Sequence, residues 1–421
     1  AYDIASCLLG SEMCIRDRIN SSRLLADLNY LRGIGGVGTG VVRPAFSDKD
    51  MEARLWLKEQ FELAGLTSTI DGVGNVFGRS KNDGPALLIG SHSDTQPEGG
   101  WLDGALGVIY GLEIVRAFQE DPSTENLSID AESWQDEEGN FLSCLGSRSW
   151  CGILDDDIEK GCVSREGETL EVALKRTGLI DTPRLTVDEE RYRGYLEAHI
   201  EQGNYLEDAG EKIGVVTAIV GIRGLPDLFE GEQNHAGTTT MARRRDAATA
   251  MFEMAYRINQ EFPAVVNNRT VWTIGNAVIE PGAASIVPGR AELTVQFRDQ
   301  DETLLNKLEQ IVSSIANDIN SRSVIKVQVV PSRAPIRPCN MHEEFIMKMG
   351  GSAELVVPGG WREMPSAAGH DPMVINEKLP CGMLFIPSID GVSHNFKEDS
   401  HEEDIVIGCQ VLADAAEAIL K

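Results

Sequence analysis

The sequence is short of positive charge. Its 421 residues include 38 Lys and Arg against 66 Asp and Glu, which gives a formal net charge of −28 at pH 7. A chain this acidic repels phosphate backbones and anionic lipid, so we expect neither a nucleic-acid partner nor a membrane partner. No apolar run approaches the roughly 18 residues that a membrane-spanning helix needs, which also predicts that the chain does not cross a membrane.

Cysteine is sparse, and histidine is sparser. The eight cysteines include no Cys-x-x-Cys pair, which argues against a disulfide framework and against a cysteine zinc site. We therefore expect reduced thiols in a cytoplasmic protein. The seven histidines are His92, His199, His235, His342, His370, His394 and His401.

The length and the order of predicted elements indicate an α/β protein with a smaller domain inserted into a larger one. About 150 residues per domain gives two or three domains for a chain of this length. Residues 1–18 have neither a basic leader nor a long apolar core, and we interpret them as an extraneous or disordered leader. We assign 19–211 and 332–421 to a large α/β catalytic, metal-binding domain with a mixed central sheet, and 212–331 to the inserted domain.

The larger domain alternates strands and helices. The apolar run 86–90 is typical of a buried strand, and Val108, Leu112 and Val115 recur at the spacing of one helix face. We expect this helix to begin at Asp103, whose side chain is suited to cap it. A strand followed by a helix is the start of an α/β layer.

The inserted domain has a different order of elements. Strand, helix, strand, strand, helix, strand is predicted along 212–331, and the clearest helix, at 302–320, carries Leu304, Leu308 and Ile311 on one face. This is the order of a ferredoxin-like α+β sheet.

Five segments of the larger domain concentrate side chains that can bind metal. They are Ser91-His92-Ser93-Asp94-Thr95, Asp103, Asp136-Glu137-Glu138-Gly139, residues 197–203 (EAHIEQG) and Ser393-His394-Asn395. Each alone is also typical of ordinary structure, such as a helix cap at Asp103 or a solvated turn at the three adjacent acids. Asp94 lies two residues from His92, on the same side of an extended segment, where it is placed to orient the imidazole ring.

Taken together, these segments resemble the hydantoinase/carbamoylase-type amidases of the binuclear-metal aminoacylase and carboxypeptidase superfamily. The resemblance covers about 20–420, and its segments are GSHSDT, GGWLDGALGV, DEEG, EAHIEQG, IGVVTAIVGIRG, NHAGTT, RRRDA, QFRD, AGHD and SHN. EAHIEQG favours the amidase branch, because the peptidases and acylases of the superfamily usually have a carboxylate where His199 stands.

The resemblance implies two divalent metal ions per subunit, zinc, manganese, cobalt or nickel. Their implied ligands are His92, Asp103, Glu138, His199 and His394. Asp103 is expected to bridge the two ions, and Glu137 is expected to act as the general base. Asp94 is assigned to the catalytic group through its contact with His92.

The resemblance also implies how substrate and partner subunit are held. The expected substrate contacts are Arg298, Ser285, Gln202, Gly369 and His370. Ser285 stands where the family usually has asparagine, and because serine is shorter we expect that contact to be lost or bridged by water. His235 is implied to stabilise the oxyanion from the partner subunit, which predicts a homodimer through the inserted domain.

These implications predict a metal-dependent amidohydrolase. Its substrate would be a small carboxylate-bearing ureido compound, an N-carbamoyl-L-amino acid or a β-ureido acid, cleaved at a ureido C–N bond to amino acid, ammonia and carbon dioxide. An allantoate amidohydrolase is the alternative, because it needs the same metals and the same carboxylate clamp. A second alternative is a non-catalytic relative that binds a small molecule.

Overall fold

A computed structural model of the chain describes residues 18–330 and 336–421. Residues 1–17 of the predicted leader lie outside the described residues. The side chain of Arg18, which that prediction also places in the leader, is 4% exposed and pairs through Nε with Asp414 Oδ1 at 3.2 Å.

The described residues form helices and strands in the following order along the chain. The helices are α1 (Ser21–Gly33), α2 (Asp48–Leu63), α3 (Ala105–Glu120), α4 (Leu145–Trp150), α5 (Asp156–Gly161), α6 (Leu170–Arg176), α7 (Tyr205–Ala209), α8 (Ala247–Glu261), α9 (Glu302–Arg322), α10 (Glu343–Val356), α11 (Pro372–Ile375) and α12 (Glu402–Leu420). The strands are β1 (Gly36–Val37), β2 (Gly40–Val41), β3 (Thr67–Ile70), β4 (Val76–Arg79), β5 (Ala86–His92), β6 (Ser128–Trp134), β7 (Tyr192–Ile200), β8 (Ile213–Ile219), β9 (Gly221–Glu230), β10 (Asn234–His235), β11 (Val271–Glu280), β12 (Ile286–Val287), β13 (Arg290–Asp299), β14 (Lys326–Val329), β15 (Cys339–Asn340), β16 (Trp361–Ser366) and β17 (Cys381–Ile386).

The chain divides into two compact units. The larger unit contains the residues up to Thr217 and those of Met341–Lys421, and the smaller unit contains Ala218–Asn340. These limits fall a few residues after the boundaries expected from the sequence, at 212 and 331. Within the part of the chain that the structure describes, no helix combines the length and the apolar character needed to cross a bilayer.

The larger unit is built on a mixed sheet, as predicted. From β8 onward the strand order is β8-β17-β7-β5-β6-β4-β3, with β16 paired to β8. All seven residues of β5 are buried, because helices such as α3 and α12 cover the sheet and share one apolar core with it. A strand buried on both faces reads as a continuous apolar run, which is why the ALLIG segment predicted it.

The parallel strands of this sheet bring four loops to one edge. Strand β5 runs parallel to β6 and to β7, and β17 runs parallel to β7. Their carboxyl ends therefore lie along the same edge of the sheet, where open α/β sheets bind ligands. His92 ends β5, Glu137 and Glu138 follow β6, and His199 is the penultimate residue of β7.

The start of α3 differs from the prediction. The helix begins at Ala105, the N-cap position is Gly104 with φ 67°, and no side chain caps it. The expected cap, Asp103, instead directs its carboxylate toward histidines (below). A Cβ on Gly104 would lie 2.5 Å from ring atoms of His92, so both the positive φ and the close ring require glycine there.

The smaller unit has the predicted ferredoxin-like order of elements. Its antiparallel sheet has the order β11-β13-β9-β14, and α8 and α9 contribute to its apolar core. That core includes Phe229, Met254, Phe297, Leu308 and Ile315.

Candidate metal centre

Asp103 lies at the centre of the candidate site. Its Oδ1 is 3.4 Å from His92 Nε2 and 3.1 Å from His199 Nε2. Its Oδ2 is 3.2 Å from His394 Nε2. One oxygen of this carboxylate therefore faces two imidazoles and the other oxygen faces a third. This is the arrangement that a carboxylate bridging two cations requires.

Two groups of ligand-type atoms result, and they share Asp103. His92, Asp103 and His199 form one group, and Asp103, Glu138 and His394 form the other; the ligand atoms of each group lie within 4.8 Å of one another. In the second group, Glu138 Oε2 is 3.6 Å from His394 Nε2. The structure thus brings together all five side chains that the resemblance assigns to metal.

Backbone carbonyls orient two of the imidazoles. His92 Nδ1 is 3.1 Å from the carbonyl oxygen of Asp94, and His199 Nδ1 is 2.9 Å from that of Ile200. A ring nitrogen that faces a carbonyl carries the proton, so the lone pair of each ring is on Nε2, the atom that a metal ion would bind. In His199 this atom also accepts the backbone N–H of Gly104 at 3.1 Å. The carboxylate of Asp94, expected to orient His92, is farther from that ring at 3.8 Å; its Oδ2 instead accepts the Glu138 backbone N–H at 3.3 Å.

The donor set fits divalent cations. Among the described residues, the buried His92 Nε2 has no hydrogen-bond partner of good geometry, and a buried polar atom without a partner is costly unless something binds it. Imidazoles and carboxylates in this combination suit zinc, manganese, cobalt or nickel.

The acids of the site have shifted pKa values. Burial, together with the charge of Asp103, raises the pKa of Glu138 to about 7. Burial also raises the pKa of Glu137 well above its usual range, against the lowering effect of His92. For Asp103, burial acts in the same direction, but His199 and the other two imidazoles outweigh it and hold its pKa well below the ordinary value. Crowded carboxylates of this kind are stabilised by bound cations.

The three adjacent acids after β6 have separate roles. The carboxylate of Asp136, which is fully buried with φ 56°, accepts the backbone N–H groups of residues 140–142 and organises the turn. Glu137 Oε2 lies 3.5 Å from His92 Nε2, while Glu138 faces His394. The segment is therefore not a solvated turn, because all three side chains point into the protein.

Gln202 lies against the carboxylate of Asp103. Its Nε2 donates to Asp103 Oδ2 at 2.9 Å and to Ser393 Oγ at 3.2 Å. Gln202 and His394 both have left-handed backbone conformations, with φ 58° and 52°. Residues other than glycine hold such conformations where the surrounding structure enforces them, most often at functional sites.

His370 occupies a position that its motif does not reveal. It is 1% exposed, its ring centroid is 4.6 Å from that of His199, and its Nε2 is 3.1 Å from Ser366 Oγ. Burial lowers its pKa well below the usual value. His370 thus packs behind a predicted metal ligand, whereas its neighbour Gly369 is exposed.

The smaller unit carries the remaining predicted residues. His235 is exposed, and its Nδ1 accepts the backbone N–H groups of Gly237 and Thr238 at 2.9 and 3.2 Å. The ring proton is therefore on Nε2, which is left as a donor. The carbonyl oxygen of Ser285 accepts the backbone N–H of Ala236 at 2.9 Å, so Ser285 lies beside the His235 segment.

Arg298 is half-buried on β13 and donates through Nη2 to Gln296 Oε1 at 3.1 Å. Its role as a substrate clamp stays a prediction, as do the roles of His235 and Ser285.

Two side chains that contact the ligands had no sequence signal. Gln96 Nε2 donates to Glu138 Oε2 at 2.6 Å. Glu398 Oε1 accepts the backbone N–H of Asp103 at 3.0 Å. The second contact joins segments separated by 295 residues, and a pattern in one sequence does not show such pairings.

Comparisons with known proteins identify the family of this chain. A model of the peptidase family M20/M25/M40 matches residues 88–418. The crystal structure of an amidase (hydantoinase/carbamoylase family) from Burkholderia phymatum is 46% identical, with a TM-score of 0.90 over 96% of this chain and 98% of that chain.

Two sequence relatives match most of the chain. An N-carbamoyl-L-amino-acid amidohydrolase of Pseudomonas sp. (strain NS671) is 34% identical over 94% of this chain and 97% of its own length. An allantoate amidohydrolase of Bacillus subtilis (strain 168) is 31% identical over 89% of this chain and 92% of its own length. The chain therefore belongs to the peptidase family M20/M25/M40, among the hydantoinase/carbamoylase amidases.

Proposed function

We propose that this chain is a binuclear metal-dependent amidohydrolase that cleaves the ureido C–N bond of N-carbamoyl-L-amino acids or β-ureido acids. The products are the amino acid, ammonia and carbon dioxide. The observation that carries the proposal is the Asp103 carboxylate, whose two oxygens face two separate groups of ligand side chains. The amidohydrolase of Pseudomonas, at 34% identity, supports the choice of substrate.

The proposed metal ligands form two sets that share Asp103. We assign His92 and His199 to one divalent ion and Glu138 and His394 to the other, with Asp103 shared. Two divalent ions, when bound, acidify a water molecule and polarise the carbonyl that it attacks. The carbonyl oxygens that hold the Nδ1 protons of His92 and His199 keep both rings aimed at their ion.

Glu137 moves the proton. Its carboxylate is next to the ligand groups, 3.5 Å from His92 Nε2, without belonging to either group. We assign it to accept the proton of the attacking water and to deliver it to the leaving nitrogen, as one general acid/base does in both halves of a hydrolysis. The carbamate so released decays to ammonia and carbon dioxide.

Substrate recognition is assigned to polar groups that suit a small carboxylate. Arg298 binds the carboxylate through two parallel hydrogen bonds. His235 donates its Nε2 proton to the oxyanion. The remaining proposed contacts are Gln202, Ser285 and Gly369, while His370, which is 1% exposed and packs behind His199, is assigned to support that ring.

The smaller unit is proposed to form a homodimer. Strand β11 is an edge strand of its described sheet, and an unpaired edge invites pairing with a second chain. Val271 and Val278 on this strand are 49% and 39% exposed, and Phe252 and Tyr256 on α8 are 59% and 65% exposed. We propose that a second copy covers these side chains and that each copy supplies His235 to its partner.

Subunit complementation tests this dimer. His235→Ala and Glu137→Gln are each expected to be inactive alone, but a mixed dimer has one site with both native residues, so co-expression restores ammonia release. Val271→Asp with Val278→Asp is expected to give monomers in sedimentation equilibrium. The matched control is Val324→Asp, at a valine 67% exposed in the same unit, which leaves the dimer intact. Absence of complementation would mean that His235 acts within its own chain.

A second candidate function is the hydrolysis of allantoate. The allantoate amidohydrolase of Bacillus subtilis, 31% identical over 89% of this chain, favours it. Both substrates present a carboxylate and a ureido group, so the same ligands and the same clamp serve either. A non-catalytic relative is disfavoured, because a binding protein does not need Glu137 beside the ligand groups.

Ammonia release from a panel of ureido compounds tests the choice. We expect the metal-loaded protein to release most ammonia from N-carbamoyl-L-amino acids or β-ureidopropionate, with the N-carbamoyl-D-amino acids as a stereochemical control. Greatest release from allantoate would select the second candidate instead. A protein that binds these compounds and releases no ammonia would be the non-catalytic relative.

A further inference from the structure

A buried carboxylate joins the two loops that carry Asp103 and His394. Glu398 is 2% exposed. Its Oε1 accepts the backbone N–H groups of Leu102 and Asp103 at 3.1 and 3.0 Å. Its Oε2 accepts the hydroxyl of Ser393 at 3.2 Å. One side chain thus contacts the backbone of one proposed ligand and the immediate neighbour of another.

The hydroxyl of Ser393 also lies beside the carboxylate of Asp103. Ser393 Oγ is 3.1 Å from Asp103 Oδ2, the oxygen that faces His394 Nε2 at 3.2 Å. Glu398 therefore contacts Asp103 directly through its backbone N–H, and the single hydroxyl proton of Ser393 is shared between the carboxylates of Glu398 and Asp103. Because charged acceptors make the stronger hydrogen bonds, the Ser393 hydroxyl between the two carboxylates restricts the direction of the Asp103 carboxylate.

The loop before α3 is built closely around Glu398. A Cβ on Gly100 would lie 1.9 Å from the carboxyl carbon of Glu398, so only glycine permits this approach. Beside it, Trp101 Nε1 donates to Asp399 Oδ1 at 3.2 Å. Glu398 is not a helix cap, because the N-cap position of α12 is His401. Its acceptor atoms serve the Asp103 loop and Ser393.

We propose that Glu398 is a positioning residue for the metal centre. It holds the Asp103 carboxylate so that Oδ1 faces His92 and His199 while Oδ2 faces His394, and this orientation is what allows one carboxylate to serve two cations. The proposal rests on the proposed function, in which Asp103 is the shared ligand.

Three variants change this contact in different ways. Glu398→Ala removes both acceptors. Glu398→Gln keeps one oxygen for the two N–H groups and loses the acceptor for Ser393. Gly100→Ala keeps the Glu398 side chain but displaces it, because the added Cβ would overlap its carboxyl group. Residues that orient metal ligands typically contribute 10- to 100-fold in metal affinity. We therefore expect Glu398→Ala and Gly100→Ala to raise the Kd for Zn²⁺ by about that factor. The Kd of Glu398→Gln is expected to lie between the wild-type value and those of the other two variants.

Calorimetric titration of metal-stripped protein with Zn²⁺ measures this effect, and the urea midpoint of the same metal-stripped protein reports the fold. We expect the Kd to rise in all three variants while the urea midpoint of Glu398→Gln matches wild type. Glu354→Gln is the matched control, since Glu354 also accepts a backbone N–H, from Gly359 at 3.2 Å, and an indole N–H, from Trp361 at 2.7 Å. It is expected to bind Zn²⁺ as wild type does.

Wild-type Zn²⁺ affinity in Glu398→Gln and Gly100→Ala would overturn the positioning role, even where Glu398→Ala fails to fold. So would a loss of affinity in Glu398→Gln that is matched by an equal loss in the urea midpoint, because Glu398 would then be structural only. A failure of the proposed function looks different: wild-type protein itself would bind no pair of Zn²⁺ ions.

Discussion

Replacing Glu137 by glutamine is expected to abolish nearly all ammonia release while both metal ions stay bound. Glutamine has the same shape but cannot accept the proton of the attacking water. A positioned general base contributes about 10²- to 10⁴-fold to a rate, so kcat is expected to fall by at least about 100-fold. KM and the metal content are expected to change little, because Glu137 is outside both ligand groups.

Steady-state kinetics and elemental analysis on the same preparation check this result. Glu98→Gln is the matched control, since Glu98 is an exposed acid in the segment after β5 and is expected to keep wild-type kcat. Unchanged kcat in Glu137→Gln would remove Glu137 from the mechanism, and loss of metal would make it a ligand.

Replacing Asp103 by asparagine is expected to release both metal ions. Asp103 is the member common to the two ligand groups, and an amide lacks the charge that a bridging ligand supplies. We expect apparent metal affinity to fall by more than the roughly 100-fold that an orienting residue contributes, with activity lost in parallel. Elemental analysis after dialysis gives the number of ions per chain.

His394→Ala provides the contrast for that experiment. His394 belongs to one group only, so this variant is expected to keep one ion per chain where Asp103→Asn keeps none. Asp188→Asn, at an exposed aspartate, is expected to keep two. Retention of two ions by Asp103→Asn would contradict the bridging role.

The edge of the sheet where the site lies was predictable from residue patterns. The apolar segment that became β5 predicted a buried strand of an α/β layer, and the parallel strands of such a layer place their carboxyl ends together. The polar segments that follow such strands are therefore expected to lie close together at one edge of the sheet. The assignment of particular side chains to metal came from the resemblance, since His92 or Asp103 alone is more typical of ordinary structure.

The details that the sequence did not predict depend on contacts between distant segments. Asp103 is suited to cap a helix, but its carboxylate instead faces three imidazoles from three other segments of the chain. His370 lies in a motif beside the exposed Gly369, yet the ring of His199 covers it. Glu398 follows His394 by four residues, and the two backbone N–H groups that it accepts are 295 and 296 residues away.

The most direct measurement of the central claim is ammonia release from ureido compounds by one preparation in two states, stripped of metal with a chelator and reloaded with divalent ions. We predict no release from the stripped protein and release from at least one ureido substrate after reloading, rising until two ions per chain are bound. No release from any ureido compound by the fully loaded protein, or equal release with and without metal, would contradict a binuclear metal-dependent amidohydrolase.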